Sequence, residues 1–176
     1  VMSIFDLSKE DKKVKIIRAC NLLQKNYTYT RTAPEGEWGE EYPEFKPDLT
    51  PDQMLAFGVF EGKYLNRCKD EFPPSLFKGA RVVKVGEPPD IELNFFKVKS
   101  RQPLSAWREK NWLHKDDPLG WFQWYTRFYY GRRHEDDLRQ INRWKSFVAR
   151  HKAQLIKNCK KGDLNCRPVQ RQALLQ

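Results

Sequence analysis

An aromatic segment, residues 117–133, constrains this chain more than any other feature: it reads Asp-Pro-Leu-Gly-Trp-Phe-Gln-Trp-Tyr-Thr-Arg-Phe-Tyr-Tyr-Gly-Arg-Arg. Asp117 suits a helix N-cap, and Pro118 suits the first helical position, where a backbone N–H would have no partner. Gly131 can end the helix in a left-handed conformation. A helix that is apolar on most sides is normally buried. We therefore predict that this helix lies in the core.

Helical spacing divides this segment into an aromatic face and a polar stripe. Gln123 and Arg127 belong to the polar stripe. The alternative to a purely structural helix is a platform on which a nucleic-acid base stacks or into which an extruded base is held. The candidates for stacking on a base or reading its edge are Trp121, Gln123, Trp124 and Tyr125.

The length and composition favour one folded domain spanning residues 1–176. A chain of 176 residues can bury a sizeable core, and 14% aromatic residues argue against global disorder. No apolar run is long enough for a transmembrane helix, so no membrane partner is expected. The first residues lack the plan of a secretory signal.

The four cysteines form no Cys-x-x-Cys pair, which favours an intracellular, reducing compartment. Cys159 and Cys166 bracket a turn-like loop. Their pairing in a disulfide and a contribution to half of a zinc site both stay open, although the spacing matches no standard zinc finger.

The net charge of +10 is distributed unevenly along the chain. Residues 35–48 carry six acidic side chains and one lysine, whereas residues 132–176 carry twelve Lys or Arg and four Asp or Glu. A concentrated basic surface attracts polyanions and gains affinity from counterion release. The sequence therefore favours a nucleic-acid partner, with DNA preferred to RNA.

Arginines and lysines near the aromatic segment are the candidate phosphate contacts, because a guanidinium group binds phosphate in a bidentate manner. Arg132 and Arg133 follow the expected helix end, and we predict that they lie in an exposed elbow between two helices. The complete predicted nucleic-acid-binding set is Arg127, Arg132, Arg133, Arg139, Arg143, Arg150, Lys157, Lys160, Lys161, Arg167 and Arg171.

Asp136 and Asp137 are the candidate catalytic residues, because a carboxylate beside basic side chains could act as a general base. They equally suit the first turn of a helix, where acidic side chains interact favourably with the helix dipole. The three histidines show no metal-ligand spacing, and no nucleotide-binding or serine-hydrolase motif occurs. No metal or cofactor is expected.

The order of predicted elements gives a mainly α (α+β) fold with one small antiparallel β-hairpin. A capping-box pattern predicts a helix over residues 9–24, and alternating residues predict the hairpin within residues 80–98. Residues 33–48 form an acidic loop, and residues 117–176 hold the aromatic and basic helices. Further predicted elements are an extended segment at 26–32, short helices at 50–58, 63–68 and after Pro103, a long helix ending near Asn158 and a last helix opening at Pro168.

Two motifs resemble a family of small basic proteins, without an assigned activity, from protists, algae, fungi and large viruses. The first is the pattern Asp-Pro-x-Gly-Trp-Phe-Gln-Trp-Tyr-x-Arg that begins at Asp117, together with Gly-Arg-Arg at 131–133. The second is Cys-Arg-Pro-x-Gln-Arg-Gln-Ala-Leu-Leu-Gln from Cys166 to Gln176. Residues 50–64 are similar to the first half of these proteins. The resemblance implies that the chain continues beyond Gln176, and it assigns no site residue.

Three functions are compatible with these patterns. The first is a nucleic-acid-binding protein that acts in the nucleus or nucleoid if its partner is DNA. The second is a nucleic-acid-modifying or repair enzyme that acts on an extruded base. The third is a subunit of a ribonucleoprotein assembly. The oligomeric state does not follow from the sequence.

Overall fold

The computed structural model describes residues 15–18, 24, 27–36, 42–43, 45–62, 71–84, 87–98 and 113–175. The protein is mainly α, as predicted, and the described residues include one two-stranded antiparallel sheet. The strands are β1 (Lys15–Arg18) and β2 (Thr28–Arg31), and the helices are α1 (Pro51–Ala56), α2 (Trp121–Tyr129), α3 (Asp137–Asn158) and α4 (Pro168–Leu175). In these parts of the chain, no helix is both long and apolar enough to span a bilayer.

The β-hairpin lies in a different part of the chain from the one predicted. Ile16 pairs with Thr30 and Ile17 with Tyr29, so the segment predicted to be helical over residues 9–24 contains a strand. Residues 81–84 and 87–98 form no strand, and Ile91–Leu93 is a short 3-10 helix. Both predictions were wrong because an alternating or helical pattern is local, whereas strand pairing depends on a distant partner. The extended segment at 28–31 is confirmed.

Local capping signals predicted the described helices more accurately. Gln53 Oε1 accepts a hydrogen bond from the Thr50 backbone N–H at 3.0 Å, as the capping pattern at the start of α1 requires. The ends of α3 and α4 agree with the prediction. Helix α2 begins at Trp121, after a turn at 118–119, so Asp117 is not its N-cap. The predicted helices at 63–68 and after Pro103 lie outside the described residues.

Helix α2 lies in the centre of an aromatic core, as its composition predicted. The Phe122, Trp124, Tyr125 and Phe128 side chains are all inaccessible to solvent. The Phe45 ring centroid lies 5.6 Å from that of Phe128, in an edge-to-face arrangement that favours aromatic contacts. Phe45 belongs to the segment predicted as an acidic loop, in which the described residues form neither helix nor strand.

Gly131 ends α2 and joins the helix to the hairpin. Its φ of +110° is in the region that favours glycine, and its carbonyl oxygen accepts hydrogen bonds from Thr32 N (2.9 Å) and Ala33 N (3.1 Å). Arg31 and Arg132 form an isolated antiparallel bridge beside it. The same residue therefore stops the helix and positions the chain that follows it.

Candidate nucleic-acid interface

A cavity of about 1380 Å³ lies beside α2, between α3, α4 and the loop at 47–49. Helix α3 supplies Arg139, Arg143, Ser146 and Arg150, which recur at a spacing of three to four residues and therefore share one face of the helix. Helix α2 supplies Trp121, Phe122 and Tyr125. The cavity is thus lined by aromatic rings on one side and by basic side chains on another.

Two of the four predicted base-contacting residues line this cavity. The half-buried Trp121 ring stacks on the Tyr125 ring with centroids 4.9 Å apart and planes 14° apart. The Tyr125 hydroxyl donates a hydrogen bond to the Leu49 carbonyl oxygen at 2.5 Å, which fixes the ring against the 47–49 loop. Trp144, which was not predicted as a site residue, also lines the cavity. The half-buried Trp121 and Trp144 rings are the aromatic surface that a base could contact, and the buried Tyr125 ring supports Trp121 from behind.

Gln123 and Trp124 are buried away from the cavity lining. Gln123 Oε1 accepts a hydrogen bond from the Leu119 backbone N–H at 3.0 Å. Trp124 Nε1 donates to Asp137 Oδ1 at 2.8 Å. Both side chains therefore contribute to the packing around α2.

Arg127 is completely buried in an ion-pair network, although the sequence assigned it to phosphate binding. Its guanidinium group lies 2.8 Å from Glu71 Oε1 and 2.9 Å from Asp117 Oδ1, and it donates to Gln24 Oε1 at 2.9 Å. Burial alone would lower the pKa of Arg127, but the charges of Glu71 and Asp117 outweigh it and raise the pKa. Arg127 therefore stays charged inside the core.

The predicted exposed elbow at Arg132 and Arg133 is wrong. Arg132 is 1% exposed, and its Nη2 lies 2.5 Å from Asp117 Oδ2. Arg133 is half-buried, with its guanidinium carbon 3.9 Å from the centre of the Phe128 ring, and it donates to the Phe128 carbonyl oxygen at 3.0 Å. The turn after Gly131 directs Arg132 to the buried Asp117 carboxylate and Arg133 back onto the end of α2, where carbonyl groups need donors.

The remaining predicted cations differ in exposure. Arg139 pairs with Asp136, and Arg171 donates to the Cys166 carbonyl oxygen at 2.7 Å. Burial lowers the pKa of the half-buried Arg143, and the nearby positive charge of Arg139 lowers it further. The exposed members of the set are Arg150, Lys157, Lys160, Lys161 and Arg167. Lys152 is exposed too and lines the cavity.

Asp136 and Asp137 act at the start of α3. Asp137 accepts hydrogen bonds from Trp124 Nε1 and from the His134 backbone N–H, and burial raises its pKa. Burial also acts to raise the pKa of Asp136, but the hydrogen bonds and charge of Arg139 outweigh it and lower the pKa. Both carboxylates are largely buried and occupied by hydrogen bonds from their own neighbourhood.

A cluster that the sequence reasoning missed borders the cavity at Glu135. His114, Asp116, His134 and Glu135 each offer one potential metal-ligand atom, and these four atoms lie within 4.8 Å of one another. The signal in the sequence is a repeated His-x-Asp pattern at 114–116 and 134–136. The separation between the two copies hid it, because no single helix or loop carries all four residues.

Comparison with known proteins gives no matching family model, no matching curated protein and no matching solved structure. The site is therefore interpreted from its own geometry. The resemblance to small basic proteins rests on sequence patterns alone.

Proposed function

We propose that this protein binds nucleic acid, DNA in preference to RNA, through the cavity between α2 and α3. The observation that carries the proposal is the half-buried Trp121 ring, which stacks on the buried Tyr125 ring and lines the same cavity as Arg143 and Arg150. Aromatic rings beside a basic groove suit an unstacked base whose backbone phosphates follow the cations. The ligand is then a strand that presents an unpaired base.

The charge of the cavity wall supports an anionic ligand. Four cationic side chains and two carboxylates, Asp48 and Glu135, line it. One of the cations, Arg139, is held by Asp136, so Arg143, Arg150 and Lys152 are the cavity-lining cations proposed for phosphate contact. Arg127, Arg132 and Arg133, which are committed to the core and the end of α2, have no part in this proposal.

Basic side chains beyond the cavity extend the proposed path of the strand. Lys157 lies in the last turn of α3, and Lys160, Lys161 and Arg167 follow in the loop before α4. All four side chains are exposed. Exposed cations of this kind contact phosphate without reading sequence.

The first test measures how the affinity for a fluorescently labelled single-stranded DNA changes with salt. The Arg150→Ala/Lys152→Ala variant removes two exposed cations of the cavity wall. Since each phosphate contact on a single strand contributes about 0.7 to the slope of log K against log salt, we expect the magnitude of the slope to fall by about 1.4. The charge-matched control Lys78→Ala/Arg81→Ala removes two exposed cations outside the cavity lining and should retain the slope.

The second test separates stacking from charge. The Trp121→Ala variant should bind the same oligonucleotide about 5- to 150-fold more weakly, the range expected from loss of one stacked base. Its salt slope should stay unchanged because no phosphate contact is removed, and Trp121→Phe should recover part of the affinity. Equal salt slopes in the wild type and in Arg150→Ala/Lys152→Ala, or no binding to single strands and duplexes, would overturn the proposal.

A nucleic-acid-modifying activity is the second candidate function, favoured by the His114–Asp116–His134–Glu135 cluster at the cavity edge. Its test is incubation of single-stranded and duplex DNA with the protein and divalent metal ions, followed by denaturing electrophoresis and mass analysis of the strands. Cleavage or a base mass change that requires Glu135 would support it. Unaltered strands under every metal condition would contradict it.

The proposal also carries an expectation for location. A DNA-binding protein of this kind would act inside the cell, in the nucleus or nucleoid. Imaging of a fluorescently tagged chain tests this directly, and exclusion of the chain from DNA-containing compartments would contradict it.

A further inference from the structure

Two short turns, at residues 114–116 and 134–136, lie against each other. Each contains a histidine followed two residues later by an aspartate. In the first turn, His114 Nδ1 accepts a hydrogen bond from Asp116 N at 3.1 Å. In the second, His134 Nδ1 accepts one from Asp136 N at 3.2 Å. The two imidazole rings meet edge to face with centroids 4.8 Å apart. The turns thus bring both histidines into one place.

Each ring points its other nitrogen at a carboxylate of the opposite turn. His134 Nε2 lies 2.7 Å from Asp116 Oδ2, and His114 Nε2 lies 3.1 Å from Glu135 Oε1. The two histidines, Asp116 and Glu135 therefore form a crossed set of two nitrogen and two oxygen donors. His114, His134 and Asp116 are half-buried, and Glu135 is exposed.

We propose that His114, Asp116, His134 and Glu135 bind one divalent transition-metal ion, with Zn²⁺ as the reference ion. Imidazole nitrogen and carboxylate oxygen are ligands that Zn²⁺ takes in four-coordinate sites, whereas Mg²⁺ and Ca²⁺ prefer oxygen ligands and water. Two of the four donors here are imidazole nitrogens. The set therefore favours a transition metal.

The distances fit a site that closes around an ion. Bonds of 2.0–2.1 Å place the ligands of a tetrahedral Zn²⁺ about 3.3 Å apart, and the two nitrogen–oxygen pairs are already separated by 2.7 and 3.1 Å. The most distant pair of donor atoms, within 4.8 Å, must approach by about 1.5 Å. Glu135, whose side chain is 74% exposed, can supply much of that movement by rotation of its side chain.

Metal binding changes the tautomer of both rings. In the hydrogen-bonded arrangement, Nδ1 accepts a backbone N–H, so Nε2 carries the proton that faces the carboxylate. An ion bound at Nε2 takes the place of that proton, and the neutral ring then carries its proton on Nδ1. Each histidine gives up one backbone hydrogen bond and gains a metal bond.

The core of the protein holds both turns in place. The Asp116 carbonyl oxygen accepts hydrogen bonds from Arg127 Nη1 at 2.6 Å and from Gln24 Nε2 at 2.5 Å. Asp137 Oδ2 accepts a hydrogen bond from His134 N at 2.8 Å, and its Oδ1 accepts one from Trp124. Buried groups that fix the ligand-bearing backbone are the supporting contacts that metal sites require.

The test titrates Zn²⁺ by calorimetry into untagged, chelator-treated protein in the absence of nucleic acid. We expect one ion per chain and a higher melting temperature in its presence. X-ray absorption of the Zn²⁺ complex should report only nitrogen and oxygen ligands near 2.0–2.1 Å, without the sulfur distance of about 2.3 Å that cysteine ligation would give.

The variants locate the ion. His114→Ala/His134→Ala should abolish stoichiometric binding, and Glu135→Gln should weaken binding at least 10-fold. The chain has three histidines, so His151→Ala is the matched control and should bind Zn²⁺ as the wild type does. His151 stacks on Phe147 within α3, outside the cluster.

Several outcomes would overturn the proposal: no stoichiometric Zn²⁺ binding by the wild type, sulfur in the ligand sphere, or wild-type affinity in Glu135→Gln. Loss of folding in the double histidine variant does not affect the last criterion, because circular dichroism can verify the fold of the Glu135→Gln protein separately. Since no oligonucleotide is present, the result is independent of nucleic-acid binding.

Discussion

Asp117 is the residue on which two buried guanidinium groups converge. One carboxylate oxygen lies 2.9 Å from Arg127 Nη1, and the other lies 2.5 Å from Arg132 Nη2. The rings of Tyr27 and Tyr29 lie beside the same groups, with the Arg127 guanidinium carbon 5.4 and 5.3 Å from their centroids. Buried charges are tolerated when they are paired and hydrogen-bonded, and this arrangement meets both conditions.

For individual residues, the sequence shows which side chains are charged but not which of them are buried. Arg127 donates hydrogen bonds to Gln24 and Glu71, which lie 103 and 56 residues away along the chain. No local spacing relates these positions. Arg132 follows a correctly predicted helix end, yet its direction depends on the position of Asp117 in the folded protein. A list of arginines from the sequence therefore mixes core residues with surface residues.

Replacing Arg127 by methionine should destabilise the protein by about 3–5 kcal/mol, the range for removal of one partner from a buried ion pair. Glu71 would lose its partner at 2.8 Å, and the Asp116 carbonyl oxygen would lose a donor. Urea unfolding followed by circular dichroism measures the change in the free energy of unfolding.

The control for this variant is a surface pair. Lys97 Nζ lies 3.6 Å from Glu92 Oε2, and both side chains are about two-thirds exposed. Glu92→Gln should therefore change the free energy of unfolding by no more than about 1 kcal/mol. Similar losses in the two variants would contradict the structural role assigned to Arg127.

Among the secondary-structure elements, most helix ends were predictable, although the start of α2 was not, and strand partners were not predictable. Thr50 and Gln53 identify the start of α1 because capping acts within four residues. Ile16 and Ile17 belong to a strand only because Thr28–Arg31 lies alongside. The apolar residues Val82 and Val83 of the alternating segment lie at 81–84, which forms neither helix nor strand, and the Val83 backbone N–H donates to the Gly62 carbonyl oxygen instead. A helix cap forms within one short segment, whereas a strand needs a hydrogen-bonded partner strand from another segment.

Gly131→Ala tests the connection between α2 and the hairpin. A Cβ atom at this position would lie 2.0 Å from the Ala33 carbonyl oxygen, so the backbone of one segment must move. Gly162, also at positive φ, is the control because nothing lies within 4 Å of a Cβ placed there. Gly162→Ala should lower the free energy of unfolding by about 1–2 kcal/mol, because alanine is strained in the left-handed conformation. Gly131→Ala should lower the free energy of unfolding by clearly more in the same urea-unfolding assay. Equal decreases in the two variants would show that the contact between Gly131 and the Ala33 carbonyl is unimportant.

A disulfide between Cys159 and Cys166 closes the loop between α3 and α4. The loop spans seven residue intervals, so the bond should stabilise the folded chain by about 2 kcal/mol through restriction of the unfolded state. Cys166→Ser should lower the melting temperature under oxidising conditions and have little effect in the presence of a reductant. Titration with a thiol reagent should detect two more reactive sulfurs after reduction. An identical melting temperature of the wild type with and without reductant would contradict a stabilising disulfide.

At the scale of the whole molecule, α2 connects the core to both proposed sites. Its Trp121 and Tyr125 line the cavity, while Arg127 and Trp124 support the two turns of the histidine–carboxylate cluster. The sequence identified this helix as central, and two of its four base-contacting candidates, Trp121 and Tyr125, line the cavity. It missed Trp144 and the cluster because both depend on how α3 packs against the turns before α2.

The burial of tyrosines in this core should make the protein sensitive to alkaline pH. Burial, with a further contribution from the charge of Glu71, raises the pKa of Tyr29 to about 12. Burial likewise raises the pKa of Tyr125 and of Tyr130. A tyrosine in the unfolded chain ionises near pH 10. Above that pH the unfolded state loses the phenol proton first and is stabilised relative to the folded state.

The contribution of Tyr29 to stability is therefore fully present below pH 10 and is lost as the pH rises towards 12. The difference of about 2 pKa units corresponds to about 2.7 kcal/mol. Urea midpoints measured between pH 8 and about pH 11.5 should fall for the wild type and fall less steeply for Tyr29→Phe, which lacks the titrating hydroxyl. Lysine ionisation affects both proteins equally, so the difference between the two curves isolates Tyr29. Superimposable pH dependences would mean that the Tyr29 phenol ionises as readily in the folded protein as in the unfolded chain.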